Sequence, residues 1–385
     1  MRLQLTTAGA ARAVPAIALA IVVAIGAPAR GDGTLAVRGV YYKERATRVM
    51  QPMMDAIFDA GSHGVVTGHF LVDAITSASA SSGAANAMPF NELRYEGGVG
   101  YSRELASRLG PLTIGGDAKY STESDYRSLF AGLRGQLELG QKNTVLGLGA
   151  GYSHDVVSAA AAQGPAMPTL RCDDAHPADT ECPLDVYLLY GSVSQILGKD
   201  TVLAGTVDLS ILHGYQSNPY RSAIVGEVLV PERHPTERTR EAFAASIRHY
   251  LAATGTTLIA AYRYYRDDWQ VHAHTPELRL VQEVGRSIDA AVGARYYTQD
   301  GADFFRDRYP ADSAAMNRPV TDDVKLSSFT GYTLEAKLGV LGEAFQLRDR
   351  WAGTRFEAML NYTAQHNRFG NAVIAHVAVT IPFEY

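Results

Sequence analysis

Residues 371–385 set one consistently apolar parity against a mixed one. Val373, Ala375, Val377, Val379, Ile381, Phe383 and Tyr385 hold the apolar parity; Ala372, Ile374, His376, Ala378, Thr380, Pro382 and Glu384 hold the other. A period of two is that of a β-strand, whose successive side chains leave opposite faces of the sheet. The pattern recurs along the chain. Leu146, Leu148, Ala150 and Tyr152 oppose Gly147, Gly149, Gly151 and Ser153, and Leu203, Val207, Leu209 and Ile211 oppose Thr206, Asp208 and Ser210. Leu258, Ala260, Tyr262 and Tyr264 oppose Arg263, and Ile288, Ala290, Val292, Ala294 and Tyr296 oppose Asp289 and Arg295. Phe356, Ala358, Leu360 and Tyr362 oppose Glu357, Asn361 and Gln365. The chain is all-β, and one face of most strands needs an apolar medium.

Sixteen strands are expected, at 34–44, 47–58, 64–78, 91–106, 111–123, 126–139, 143–157, 184–197, 201–215, 239–252, 256–269, 271–284, 287–300, 324–338, 354–367 and 371–385. Their connections sort by length. Tight, Gly-bearing turns at 140–142, 198–200, 253–255 and 285–286 fall on one side, while the long segments 158–183, 216–238 and 301–323 fall on the other. Short periplasmic turns and long outer loops are the habit of an antiparallel transmembrane β-barrel. The segment 339–353 is long for a periplasmic turn and has room for a short helix. Pro52 and the Met53-Met54 pair interrupt the second strand; if 33–60 is a plug instead, fourteen strands remain.

The start of the chain agrees with an envelope address. Arg2 and Arg12 precede a mostly apolar stretch of about 15 residues, too short to span a bilayer, and Ala27-Pro28-Ala29 has the small-x-small form of a cleavage site. Residues 1–29 are therefore expected to be a signal peptide and 30–385 a single outer-membrane barrel. Removing Arg2 and Arg12 takes the formal net charge from −5 to −7, which argues against nucleic acid as a partner. The expected partners are outer-membrane lipids and, through Ile381, Phe383 and Tyr385 on the last strand, the barrel-assembly machinery. Gly (36) and Tyr (21) are abundant, as crowded backbones and membrane interfaces require.

Several short stretches carry a resemblance to a family. They include Tyr41-Tyr42-Lys43-Glu44, Thr47-Arg48-Val49 with Gln51-Pro52, residues 72–79, residues 121–128 and Asn143-Thr144. Further on come Asn218-Pro219-Tyr220-Arg221, Arg238, Tyr262-Arg263-Tyr264-Tyr265 and Asp267-Asp268-Trp269. Last are Thr275, Arg295-Tyr296-Tyr297, Gln299, Ala302 and Phe304-Phe305. Together they make the chain, over about residues 38–385, similar to the outer-membrane barrels grouped as domain of unknown function 3570. The resemblance implies a barrel and carries over no activity and no site residues.

The polar parity supplies the candidate functional residues, expected to line the interior: Asp208, Arg248, Arg263, Asp289, Arg295, Arg355, Glu357 and His376. An unpaired charge facing hydrocarbon costs about 2–4 kcal/mol at mid-depth, so these side chains belong on the other face. Cys172 and Cys182, with nine residues between them in the longest outer loop, are expected to form a disulfide in an oxidising envelope. Ser124-Asp125-Tyr126-Arg127 reads as turn chemistry, with Tyr126 at headgroup level and Arg127 toward lipid phosphate. Asp267 and Asp268, followed by His272 and His274, contain metal-ligand types. Without further ligands at a characteristic spacing they read as a solvated loop tip, and no metal or cofactor is implied.

Two functions suit this arrangement. A mixed-charge interior too wide for side chains to fill holds water or an inserted loop, with 158–183 and 301–323 as candidates to narrow it; that describes a passive porin-like channel or solute transporter, its solute unspecified. The alternative is a non-conducting structural or binding barrel that partners an envelope system. An enzyme is not expected, since neither G-x-S-x-G nor H-E-x-x-H occurs.

Overall fold

A computed structural model describes residues 32–45, 47–78, 89–158, 172, 181–219, 221–313 and 318–384. The expected signal peptide, Tyr385 and most of the loop 158–183 lie outside the described residues. The strands are β1 (Asp32–Lys43), β2 (Thr47–Ala60), β3 (Gly64–Ala78), β4 (Pro89–Ala106), β5 (Pro111–Thr122) and β6 (Tyr126–Leu139). They continue with β7 (Thr144–Ser158), β8 (Glu181–Gly198), β9 (Thr201–Gly214), β10 (Ser222–Val225), β11 (Val228–Pro231) and β12 (Glu237–Leu251). The last six are β13 (Thr256–Asp267), β14 (His272–Val284), β15 (Ile288–Gln299), β16 (Phe329–Leu341), β17 (Arg355–Gln365) and β18 (Ala372–Glu384).

All but β10 and β11 join one closed antiparallel sheet of sixteen strands, each beside its sequence neighbour, with β18 returning to β1. Closure satisfies the backbone groups that an open edge would leave bare in hydrocarbon. Both β1 and β2 are full members, so the fourteen-strand alternative does not hold. Pro52 sits within β2, and the β2–β3 ladder skips Gln51 and Pro52 while keeping its register, because proline has no N–H to give. The small sheet β10–β11 is separate from the barrel sheet, in the connection between β9 and β12.

Six of the seven connections on the rim that carries both ends of the sheet are short: 61–63, 107–110, 140–143, 199–200, 252–255 and 285–287. The seventh, 342–354, winds through two 3-10 turns, Gly342–Phe345 and Asp349–Trp351, in the segment where a short helix was expected. The opposite rim carries the long connections.

Alternation is visible in exposure. Leu133 is 71% exposed and Leu148 70%, although both lie inside strands. Such side chains would be buried in a water-soluble sheet; here they face hydrocarbon. One rung of this apolar face runs Leu258, Leu280, Val292, Ala336, Leu360 and Ala375 across β13 to β18. Tyrosines 262, 296, 332 and 362 stand nearer the outer rim, Tyr296 against Tyr332 at 5.0 Å, as an interfacial belt requires.

The β1–β18 seam has its own packing. Gly33 lies opposite Phe383, whose ring occupies the space a Cβ on Gly33 would need (2.5 Å). The same ring meets Phe58 edge-on at 5.6 Å. Phe383→Ala should destabilise the barrel by about 1–2 kcal/mol, measured by urea titration of protein refolded into vesicles; an unchanged midpoint would show that the ring does not hold the seam.

Candidate functional site

The eight candidate residues all lie on the polar parity of the sheet. Asp208 stands opposite Ala242, Arg248 opposite Ile259, and Arg263 between Ala244 and Thr275. Arg295 stands between Glu277 and Thr333, and His376 opposite Met359. Three of them meet directly. Arg355 Nη2 donates to Asp289 Oδ1 at 2.6 Å and Arg355 Nε to Glu357 Oε1 at 3.1 Å. The first pair spans β15 to β17, passing over β16 at Gly339, where a Cβ would lie 2.2 Å from the guanidinium. Glycine is what lets side chains two strands apart touch. Lys337 Nζ completes the group at 2.5 Å from Glu357.

Other charged members of this face went unnoticed in the sequence. Asp55 on β2 takes Arg38 from β1 and His69 Nδ1 from β3 (2.6 Å). Arg94 on β4 pairs with Glu96 at 2.6 Å and approaches Asp73 at 3.9 Å. Arg134 pairs with Asp117 at 3.0 Å, and Arg279 with Glu335 at 2.9 Å. Each shares the parity of the polar face, so extending the count of two from strand to strand would have found them.

At the outer rim, two connections fold into one body. Ala223 and Val225 of β10 pack with Tyr309 and Val320 of the segment between β15 and β16, and isolated bridges join Val225 to Tyr309 and Arg233 to Val320. At its centre is Glu232, whose side chain has no solvent exposure. Its carboxylate accepts from Thr321 Oγ1 and from the Asn218 N–H at 2.9 Å, and lies 3.3 Å from His234 Nε2 and 3.4 Å from Arg221. Burial alone would raise its pKa, but the contacts with His234, Arg221 and Thr321 outweigh it and hold the carboxyl at about 2. Arg221 is shared with Asp323 at 2.8 Å.

This body is anchored on the polar face of β12 to β15. Arg238 lies 3.9 Å over the Trp269 indole, donates from Nε to Asp267 at 3.0 Å, and Trp269 packs edge-on against Phe304 at 5.3 Å. Gln299 Nε2 donates to the carbonyls of Lys325 (2.9 Å) and Ser327 (2.6 Å). Part of the segment 301–323 expected to narrow the barrel is thus tied to the outer end of one wall.

The acidic loop tip does not assemble as a metal centre. Asp267 is taken by Arg238 and Tyr265, while His274 lies on the opposite parity and contacts the Tyr262 hydroxyl at 2.6 Å. Among the described residues, three carboxylates do converge elsewhere: Glu123 and Asp125 of the β5–β6 turn and Glu92 of β4, with ligand atoms within 4.8 Å of one another. Burial, then repulsion from Glu92 and Asp125, pushes Glu123 up to about 7. At the same turn Tyr126 contradicts its expected place at headgroup level: its hydroxyl is on the polar face, donating to Asp155. Arg127 pairs with Glu181 at 2.7 Å. Cys172 and Cys182 form the expected disulfide, Cys182 being wholly buried beside Tyr215 and Val157.

A closed, lipid-facing sheet of this kind is a bacterial outer-membrane barrel. No curated protein matches the chain in sequence. A bacterial polysaccharide outer membrane secretin is similar in structure over 92% of this chain and 98% of its own, with a TM-score of 0.51 and 7% identity. The outer membrane protein OprD from Pseudomonas aeruginosa is similar over 92% and 94%, with a TM-score of 0.45 and 9% identity. The likeness to the secretin, at 7% identity, is one of fold alone. The sequence profile of the family described as Protein of unknown function (DUF3570) matches residues 83–369, most of the chain, and the protein belongs to that family.

Proposed function

We propose that the protein is a passive, porin-like solute channel whose mixed-charge polar face lines a water-filled lumen. The observation that carries the reading is a closed sixteen-stranded sheet with a charged face. A circumference of that size leaves more space than side chains can fill, and fixed charges such as Arg355, Asp289 and Glu357 favour water there over a dry core. Asp208, Arg248, Arg263, Arg295 and His376 complete the lining. The reading includes no catalysis and no cofactor. It treats residues 1–29 as a leader, and Ile381, Phe383 and Tyr385 as the segment that the assembly machinery reads.

A second reading keeps the barrel closed and gives the work to the outer body built on Glu232 and Tyr309. Its dense core offers a firm surface to a partner in an envelope system. Purified protein in a planar lipid bilayer separates the two. Stepwise conductance is expected; silence from protein shown by protease protection to be inserted would end the channel reading in favour of the non-conducting one.

A further inference from the structure

Resting on the channel reading, we infer that small anions are the preferred solutes and travel along the wall formed by β12 to β15. The inference comes from which interior charges are already neutralised. On the polar face Asp55, Glu96, Asp117, Asp289, Glu335 and Glu357 each have a cation within ion-pair distance. Such pairs present little net field to a passing ion.

Three arginines of the β12 to β15 wall differ. Among the described residues, Arg248, Arg263 and Arg295 form no ion pair with a carboxylate. Arg295 donates to Thr333 Oγ1, at 3.3 Å. Arg263 lies 5.7 Å from the centroid of the Tyr265 ring. Glu277, in register with Arg295, shares Arg279 (3.3 Å) with Glu335.

The registers place these three cations in sequence down the wall. Arg263 shares a rung with Ala244 and Thr275; Arg295 shares the next with Glu277, Ala261 and Ser246; Arg248 shares the one after with Ile259 and Arg279. Successive rungs on one face lie about 7 Å apart along the strand. The successive arginines also lie two and three strands apart, about 10 and 14 Å across the sheet, so the three cations bias one wall of the lumen together. Arginine suits such a path because its charge is permanent and its planar fork accepts oxyanions without proton exchange. Small neighbours, Ala244 and Ala261 among them, leave the guanidiniums uncovered. Working against the track is Asp208 on β9, which has no cation partner among the described residues.

The test is the reversal potential of the intact protein in a bilayer across a potassium chloride gradient. Wild type should favour chloride. Arg248→Gln, Arg263→Gln and Arg295→Gln should each lower the chloride-to-potassium permeability ratio by about twofold, the effect of one charge at about 8 Å in water. Asp208→Asn should raise the ratio, a change that structural damage would not produce. If one arginine variant fails to fold, the other two and Asp208→Asn still decide. Conductance with cation preference, or a ratio that these substitutions do not move, overturns the anion path and leaves the channel standing. Silence of every inserted variant, wild type included, overturns the channel and the path together.

Discussion

Val292→Arg should cost about 2–4 kcal/mol of barrel stability, because the new charge meets hydrocarbon at mid-depth. Val292 is 58% exposed on the apolar face. Its rung neighbours are Leu280 and Ala336, and Tyr296 stands two rungs toward the outer rim. A guanidinium there is too far from either interface to reach water without bending the bilayer or the strand. Heat-modifiable mobility of protein refolded into vesicles, followed through a urea series, measures the loss. Arginine at exposed Leu109, in the short turn between β4 and β5, is the control and should change little. Equal effects at both positions would mean that Val292 does not face lipid.

Glu232→Gln should disrupt the outer body while sparing the barrel. Removing one charge from a buried, hydrogen-bonded group costs about 3–5 kcal/mol, since Arg221 and His234 lose the anion that compensates them. Trypsin cleavage after Arg221 or Arg233 should accelerate about a hundredfold or more, with the sixteen-stranded sheet still resistant. A pH series tests the same carboxylate. Its pKa in the folded protein, about 2, lies below the ordinary value of 4.5. The stability it contributes is therefore complete above about pH 4.5 and lost as the pH falls toward 2. Protection of the outer segment should fall over that window in wild type and stay flat in Glu232→Gln. A cleavage rate indifferent to both changes would remove Glu232 from the centre of this body.

Strands were legible because hydrocarbon on one face and a polar medium on the other enforce alternation. The bounds of β6 were read without error, and Pro52 disguised β2 without removing it. The largest displacement is at β16, expected from 324 and found from Phe329. Val324 and Leu326 do alternate, but they are buried in a 3-10 turn capped by Asp323, whose Oδ1 accepts from the Lys325 N–H at 3.0 Å. The hairpin β10–β11 escaped notice because its four-residue strands pack against Tyr309 and Val320, far along the chain. Among charges, parity was legible and partnership was not. Nothing local says that Arg355 will reach over Gly339 to Asp289. Likewise, nothing in Asp55 alone names Arg38 and His69 as its neighbours on either side.

One junction differs from every other in the sheet. Adjacent strands elsewhere are mostly hairpins, whose ends are brought together for about 1 kcal/mol of chain entropy when the turn has four residues. Joining β1 to β18 confines nearly the whole polypeptide, at about 5 kcal/mol by the same relation. Twelve residue pairs, from Asp32 with Glu384 to Lys43 with Val373, have to offset that cost. They become available only when the last strand has been made. Until then every partly built sheet has two bare edges, so final zippering is the step at which a slow or interrupted chain is most exposed to pairing with a stranger.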